Sequence, residues 1–157
     1  MNYNDILRRV RYTFDFNDDK MIKLFALADH EVTRAQISDW LKKEDDPAYV
    51  EIDDLILATF LNGLIVDRRG KKDVVKLIPE KRLNNNIIFR KLKIALNLKD
   101  DDIVEIFSLV DLRVSKHEIS ALFRNPKQSQ YRQCKDQFLR NFLHGLQIKY
   151  RDSIERS

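Results

Sequence analysis

Displaced by 82 positions, the chain matches itself without a gap: residues 2–66 align with 84–148, and nineteen of the 65 pairs are identical. Asn4/Asn86, Arg8/Arg90, Asp18/Asp100, Phe25/Phe107, Ile37/Ile119, Phe60/Phe142 and Gly63/Gly145 are among them. A long period free of insertions means one supersecondary unit built twice. A unit of this length is near the lower limit for folding alone, which favours two units sharing an interface. The resulting division is residues 1–66 and 84–148, a linker at 67–83 and a tail at 149–157.

Within each unit the apolar spacing predicts four helices and an all-α fold. Ile6, Val10 and Phe14 recur every four residues, as do Ile88, Leu92 and Leu96. Asn4 and Asn86 are expected to cap these first helices, because a carboxamide accepts from the free N–H groups of a first turn. Second helices start at Asp18 and Asp100, with apolar faces Met21, Ile22, Phe25, Ala28 and Ile103, Val104, Phe107, Val110. Thr33-x-x-Gln36 and Ser115-x-x-Glu118 are capping boxes that open the third helices. The fourth helix, Leu55 to Val66, is apolar almost all round and is expected to be buried on more than one side. Gly63 and Gly145 lie inside the fourth helices, where glycine costs about 1 kcal/mol relative to alanine. The same cost at twin positions predicts a close approach by another helix. Val74, Val75, Leu77 and Ile78 read as a short extended piece of the linker.

Few functional classes find support. No apolar run approaches the roughly 20 residues of a membrane helix, and the amino terminus lacks the apolar core of a signal peptide. A single cysteine, Cys134, excludes an internal disulfide and suits a cytoplasmic location. Asp15-x-Asn17-x-Asp19 resembles the start of a calcium loop, but Lys20 stands where glycine is required and Ala26 where a glutamate belongs. Glycines at 63, 70 and 145 alone build no phosphate loop. His30, His117 and His144 show no ligand spacing. No catalytic residue, cofactor, metal or small-molecule substrate is therefore assigned, and the chain reads as a non-catalytic binding or adaptor protein.

Charge divides unevenly. The first unit carries 8 basic and 13 acidic residues, the linker 7 and 3, the second unit 11 and 7. A basic half suits a polyanion, and equally suits attraction between units of opposite charge. The strings V-T-R-A-Q-I-S-D-W-L and V-S-K-H-E-I-S-A-L-F have the rhythm of the second helix of a helix-turn-helix. With the linker they nominate Arg34, Lys42, Lys43, Arg68, Arg69, Lys71, Lys72, Lys116 and Arg124 as nucleic-acid contacts. Against this, Asp39, Glu118 and Glu44-Asp45-Asp46 would face the same anion.

A protein partner, or self-association, is the leading expectation, and it rests on the fourth helices. Positions 55, 58, 62 and 65 form one stripe: Leu55, Ala58, Asn62 and Ile65 in the first copy, Gln137, Arg140, His144 and Gln147 in the second. The first stripe is expected to be buried against the other unit, the Val74–Ile78 segment or a second chain. Exposing Leu55 and Ile65 would forfeit roughly 1.5–3 kcal/mol each. The second stripe is expected to be at least partly open and to serve as a polar contact surface.

The strings N-D-I-L-R-R-V-R-Y, L-K-K-E-D-D, F-L-N-G-L-I, R-R-G-K and N-N-N-I-I-F-R-K-L-K-I-A-L resemble the YehS-like family of small bacterial proteins, from Asn4 to about Leu146. The resemblance implies a bacterial, cytoplasmic protein made of two copies of a domain of unknown function. It brings no catalytic or binding residue with it.

Overall fold

Every first turn in the protein must satisfy N–H groups that the helix itself cannot, and in six of the eight α-helices among the described residues a side chain at the cap does so. The computed structural model describes residues 1–71, 76–152 and 154, so Lys72, Val74 and Val75 lie outside the described residues. Unit 1, Met1–Leu83, contains α1 (Tyr3–Phe14), α2 (Asp18–Leu27), α3 (Arg34–Trp40) and α4 (Asp54–Arg69). Unit 2, Asn84–Ser157, contains α5 (Asn85–Ala95), α6 (Asp100–Ser108), α7 (Lys116–Leu122) and α8 (Asp136–Leu146), followed by a π-helical turn, Gln147–Arg151. The described residues include no strand. The all-α duplication expected from the repeat is therefore the fold.

The capping boxes of α3 and α7 form as expected. Thr33 Oγ1 accepts from Gln36 N at 3.1 Å while Gln36 Oε1 accepts from Thr33 N at 2.8 Å, and Ser115 and Glu118 exchange the same pair of bonds. The caps of α1 and α5 need correcting. They are Asn2, whose Oδ1 accepts from Asp5 N at 2.9 Å, and Asn84, whose Oδ1 accepts from Ile87 N at 2.9 Å. Asn4 and Asn86 lie two residues further in and are buried. Each fastens the loop between the third and fourth helices. Asn4 Nδ2 donates to the carbonyls of Trp40 (3.0 Å) and Val50 (2.9 Å), and its Oδ1 accepts from Ile52 N (2.9 Å). Asn86 does the same at twin positions, to Leu122 (3.0 Å) and Arg132 (2.8 Å) and from Cys134 (2.8 Å).

The repeat extends to backbone conformations that side chains disfavour. Asp15 and Asn97 end the first helices at φ 56° and 53°, and Asp29 and Asp111 follow the second at 59° each. Asn and Asp tolerate this left-handed region better than other residues bearing a Cβ. The third-to-fourth loops share their turns too. Asp46 N to Lys43 O, Tyr49 N to Asp46 O and Val50 N to Asp39 O recur as Gln128 to Asn125, Tyr131 to Gln128 and Arg132 to Ala121.

In unit 1, α2 packs on α3 and α4, and α1 on α4; in unit 2, α6 packs on α7 and α8, and α5 on α8. Phe25 centres the first core, 5.5 Å from both Trp40 and Phe60. Phe89, Phe107, Phe138 and Phe142 form the second, with ring centroids as close as 4.4 Å. The inner faces of the second helices include Leu24 and Ile106, fully buried residues that the spacing argument left out. These are the residues the glycines meet. A Cβ on Gly63 would overlap the Leu24 carbonyl, and one on Gly145 would lie 2.6 Å from the Ile106 carbonyl oxygen. The two crossings are equivalent, as expected.

Nine consecutive residues of α4, Leu57 to Ile65, are buried, which matches its apolar character. Leu55 corrects the expectation: it sits in the first turn and stays 39% exposed, whereas Ala58, Asn62 and Ile65 are buried. The asymmetry between the copies therefore begins one turn later. Accordingly, Ile65→Gln should lower stability by about 2–4 kcal/mol, while Gln147→Ile at the half-buried twin should change it by less than about 0.5 kcal/mol. Urea unfolding of the two variants measures the difference, and equal midpoint shifts would refute it.

Candidate interaction surfaces

The nominated basic residues occupy places with different chemistry. Arg34, at the start of α3, reaches back to the first turn of α2, 3.6 Å from Asp18 and paired more closely with Asp19. Its twin Lys116 meets Asp101 at 2.7 Å. Lys42 lies 2.7 Å from Asp39. In both lysines the carboxylate hydrogen bond holds the ammonium above its ordinary pKa. Arg124 is half-buried at the end of α7, while Lys43 is exposed.

The linker residues also separate. Because α4 runs to Arg69, Arg68 and Arg69 belong to its last turn, where cations complement the helix dipole. Arg68 stacks on Phe14, 4.9 Å from the ring centroid. Lys71 is exposed, and Lys72 is outside the described residues. Of the eight nominated cations among the described residues, three are therefore already matched by carboxylates, and a fourth lies on an aromatic face. None of this was readable from charge counting, since Arg34 and Lys116 find their partners fifteen residues upstream.

The aspartates that suggested a calcium loop have structural duties. Asp15 ends α1, Asn17 Oδ1 caps α2 by accepting from Lys20 N at 2.8 Å, and Asp19 pairs with Arg34. Cys134 is buried, and burial pushes its thiol up to about 12. A thiol in that state stays protonated at neutral pH, whereas nucleophilic or metal-binding cysteines are thiolates.

The polar stripe of α8 is open. Gln137 and His144 are exposed, Arg140 and Gln147 half-buried. Arg140 donates to Gln137 Oε1 at 2.8 Å, and Gln137 Nε2 donates to Asn141 Oδ1 at 3.0 Å. These contacts order the side chains while leaving His144 facing water.

Unit 1 holds a cavity of about 500 Å³ that the sequence reading missed. Leu27, Ala28, Asn62 and Val66 line it from α2, its C-terminal turn and α4, and Lys76 to Pro79 line it from the returning linker. Lys76 Nζ lies 4.0 Å from Asp29 Oδ2. The linker then ends on α4, where Leu83 N donates to Asp54 Oδ2 at 2.7 Å. The apolar run at Leu77 and Ile78 was the only signal of this return. No helix among the described residues is long and apolar enough to cross a membrane.

A family model described as a protein of unknown function (DUF1456) matches twice, over residues 3–70 and 85–152. The chain is similar to the uncharacterized protein YehS of Escherichia coli (strain K12), with 46% identity over 144 residues, which cover 91% of this chain and 92% of that one. No solved structure matches. Two matches of one model at the same offset as the helices, and a relative this similar along nearly its whole length, make the chain a two-copy member of the DUF1456 family.

Proposed function

We propose that the protein is a non-catalytic binding module whose partner is another protein, engaged through the outward face of α8. One observation carries this reading: α8 leaves His144 exposed and Arg140 half-exposed where α4 fully buries their twins, Asn62 and Ala58. The core faces match in the two copies, so their difference lies in what each fourth helix offers outside its own bundle. Neutral amides beside one arginine and one histidine suit the hydrogen-bonded rim of a protein interface. The pairing of Arg34, Lys42 and Lys116 with aspartates weakens the polyanion alternative, because each carboxylate would repel a phosphate. That alternative, nucleic-acid binding through α3, α7 and the linker, keeps the exposed Lys43, Arg69 and Lys71 in its favour.

Capture from native lysate with the full chain as bait, with and without nuclease, separates the two. The expected result is a protein retained after nuclease treatment and lost from a Gln137→Ala/Arg140→Ala/His144→Ala variant. Retention abolished by nuclease and by Lys71→Glu/Lys116→Glu would overturn the proposal. So would a gel shift on duplex DNA or single-stranded RNA that weakens steeply with salt, as release of counterions from phosphates requires.

A further inference from the structure

Unit 2 holds a cavity of about 380 Å³ between α7, the loop that follows it and the start of α8. Leu122 and Phe138 form its apolar wall, and Glu118, Arg132, Gln133 and Lys135 its polar one. Phe138 is half-buried and held by Phe107, 4.5 Å away between ring centroids. The backbone of Arg132 is fixed on both sides: its N–H donates to Ala121 O at 3.0 Å, and its carbonyl accepts from Asn86 Nδ2 at 2.8 Å. At the twin positions of unit 1 the charge is reversed, with Val50, Glu51 and Asp53 where unit 2 has Arg132, Gln133 and Lys135. There the Asp53 carboxylate accepts from Ile56 N at 2.9 Å. Lys135 gives the corresponding N–H of Phe138 no side-chain acceptor. Arg132 and Lys135 are exposed and, among the described residues, paired with no carboxylate, unlike Arg34, Lys42 and Lys116.

We infer that this cavity binds an apolar amino-acid unit by its free carboxylate. The carboxylate takes the place that Asp53 fills in unit 1, accepting from Phe138 N–H with Arg132 and Lys135 at hand. Bonds to such cations are roughly twice as strong as those between neutral groups. The aliphatic or aromatic side chain of the ligand lies on Leu122 and Phe138, where apolar surface leaves water. Glu118, anchored by Ser115 N and Oγ at 3.3 and 3.1 Å, offers an acceptor to the nitrogen beside the ligand carboxylate and repels a second acidic group. The volume lies within the roughly 300–1,000 Å³ of small-molecule sites. A free amino acid has this chemistry, with its ammonium toward Glu118. So does the C-terminal residue of a polypeptide, with its peptide N–H in the same place. The inference goes beyond the protein-binding reading, because it uses none of Gln137, Arg140 and His144.

The test is a heteronuclear NMR titration of the full-length protein with L-phenylalanine, N-acetyl-L-phenylalanine, L-phenylalaninamide and acetate. Saturable amide shifts at 118–122 and 132–138 are expected from the first two. Phenylalaninamide lacks the carboxylate and acetate the apolar body, so neither should saturate. Tighter binding of phenylalanine assigns the cavity to a free amino acid, tighter binding of the acetylated form to a chain terminus, and equal binding to both; each supports the inference. Lys135→Asp, which restores the cap of the first copy, should keep the fold and weaken binding about tenfold or more, because its own carboxylate then occupies the site. Arg132→Gln should weaken it about threefold. Lys127→Gln, on the same loop but outside the cavity, should leave it unchanged. Absence of saturable shifts up to tens of millimolar overturns the inference, as does equal binding of phenylalaninamide or full affinity in Lys135→Asp. Capture through α8 is read with other variants, so either result can fail while the other stands.

Discussion

Gly63→Ala is expected to lower the melting temperature of the protein by about 12 °C or more, or to prevent folding of the first unit. The added Cβ would overlap the Leu24 carbonyl, which is backbone, so α2 and α4 must separate before it fits. Overpacking of this kind costs about 3 kcal/mol or more, and each kcal/mol shifts the melting point of a small domain by about 4–8 °C. Gly145→Ala should cost less, because its Cβ would stand 2.6 Å from the Ile106 carbonyl oxygen and from a methyl group that can turn away. In a free helix alanine would be the better residue by about 1 kcal/mol, so the sign of the effect is itself informative. Thermal melts of the two variants decide the matter. Stabilisation by either, or a larger loss from Gly145→Ala, would show that the crossings are looser than described.

The second large effect belongs to the buried asparagines. Asn4→Leu removes the partner of one N–H and two carbonyls, and Asn86→Leu removes the same three in unit 2. A buried polar group left without a partner costs about 1–3 kcal/mol, so each substitution should cost about 3–5 kcal/mol after partial access by water. Asn4→Asp is sharper. An ionised carboxylate could still accept from Ile52 N–H, but it would point an oxygen at the carbonyls of Trp40 and Val50. Its folded pKa would therefore lie above the unfolded value of about 3.9. The stability it lacks at neutral pH should return in part as pH falls through the folded pKa, because the protonated acid donates one hydrogen bond. Guanidinium unfolding at pH 7 and at pH 5 should show that recovery relative to wild type. A loss from Asn4→Leu of the size typical of exposed positions would remove the clasp from the account.

The glycines and asparagines also show how far the sequence was legible. Gly63 and Gly145 could be read because a helix-weakening residue at twin positions has few explanations besides a close crossing. Asn4 and Asn86 were misread as caps because a cap and a clasp need the same short carboxamide. Only the three-dimensional position of a loop more than thirty residues away distinguishes Asn2 from Asn4. Leu55 was placed inside by a spacing rule that ignores where the covering ends along the helix, and the structure leaves that first turn open. The candidate contacts were harder, because surface charges are paired by the fold rather than by composition. Arg34 and Lys116 resembled phosphate ligands until α2 and α6 placed aspartates beside them.

The paired loops between third and fourth helices lead somewhere else. Glu44-Asp45-Asp46-Pro47-Ala48 and Pro126-Lys127-Gln128-Ser129-Gln130 share almost no chemistry, yet they follow the same turns. Their path is held from outside, by the asparagine of the first helix and by equivalent backbone bonds, while each copy adds local bonds of its own, from Ala48 N to Asp46 Oδ1 in the first and from Lys127 N to Asn125 Oδ1 in the second. Such a loop is a socket with interchangeable inserts. Its charge can pass from acidic to basic without a refolding step, and gene duplication then yields two surfaces of opposite polarity on one inherited frame.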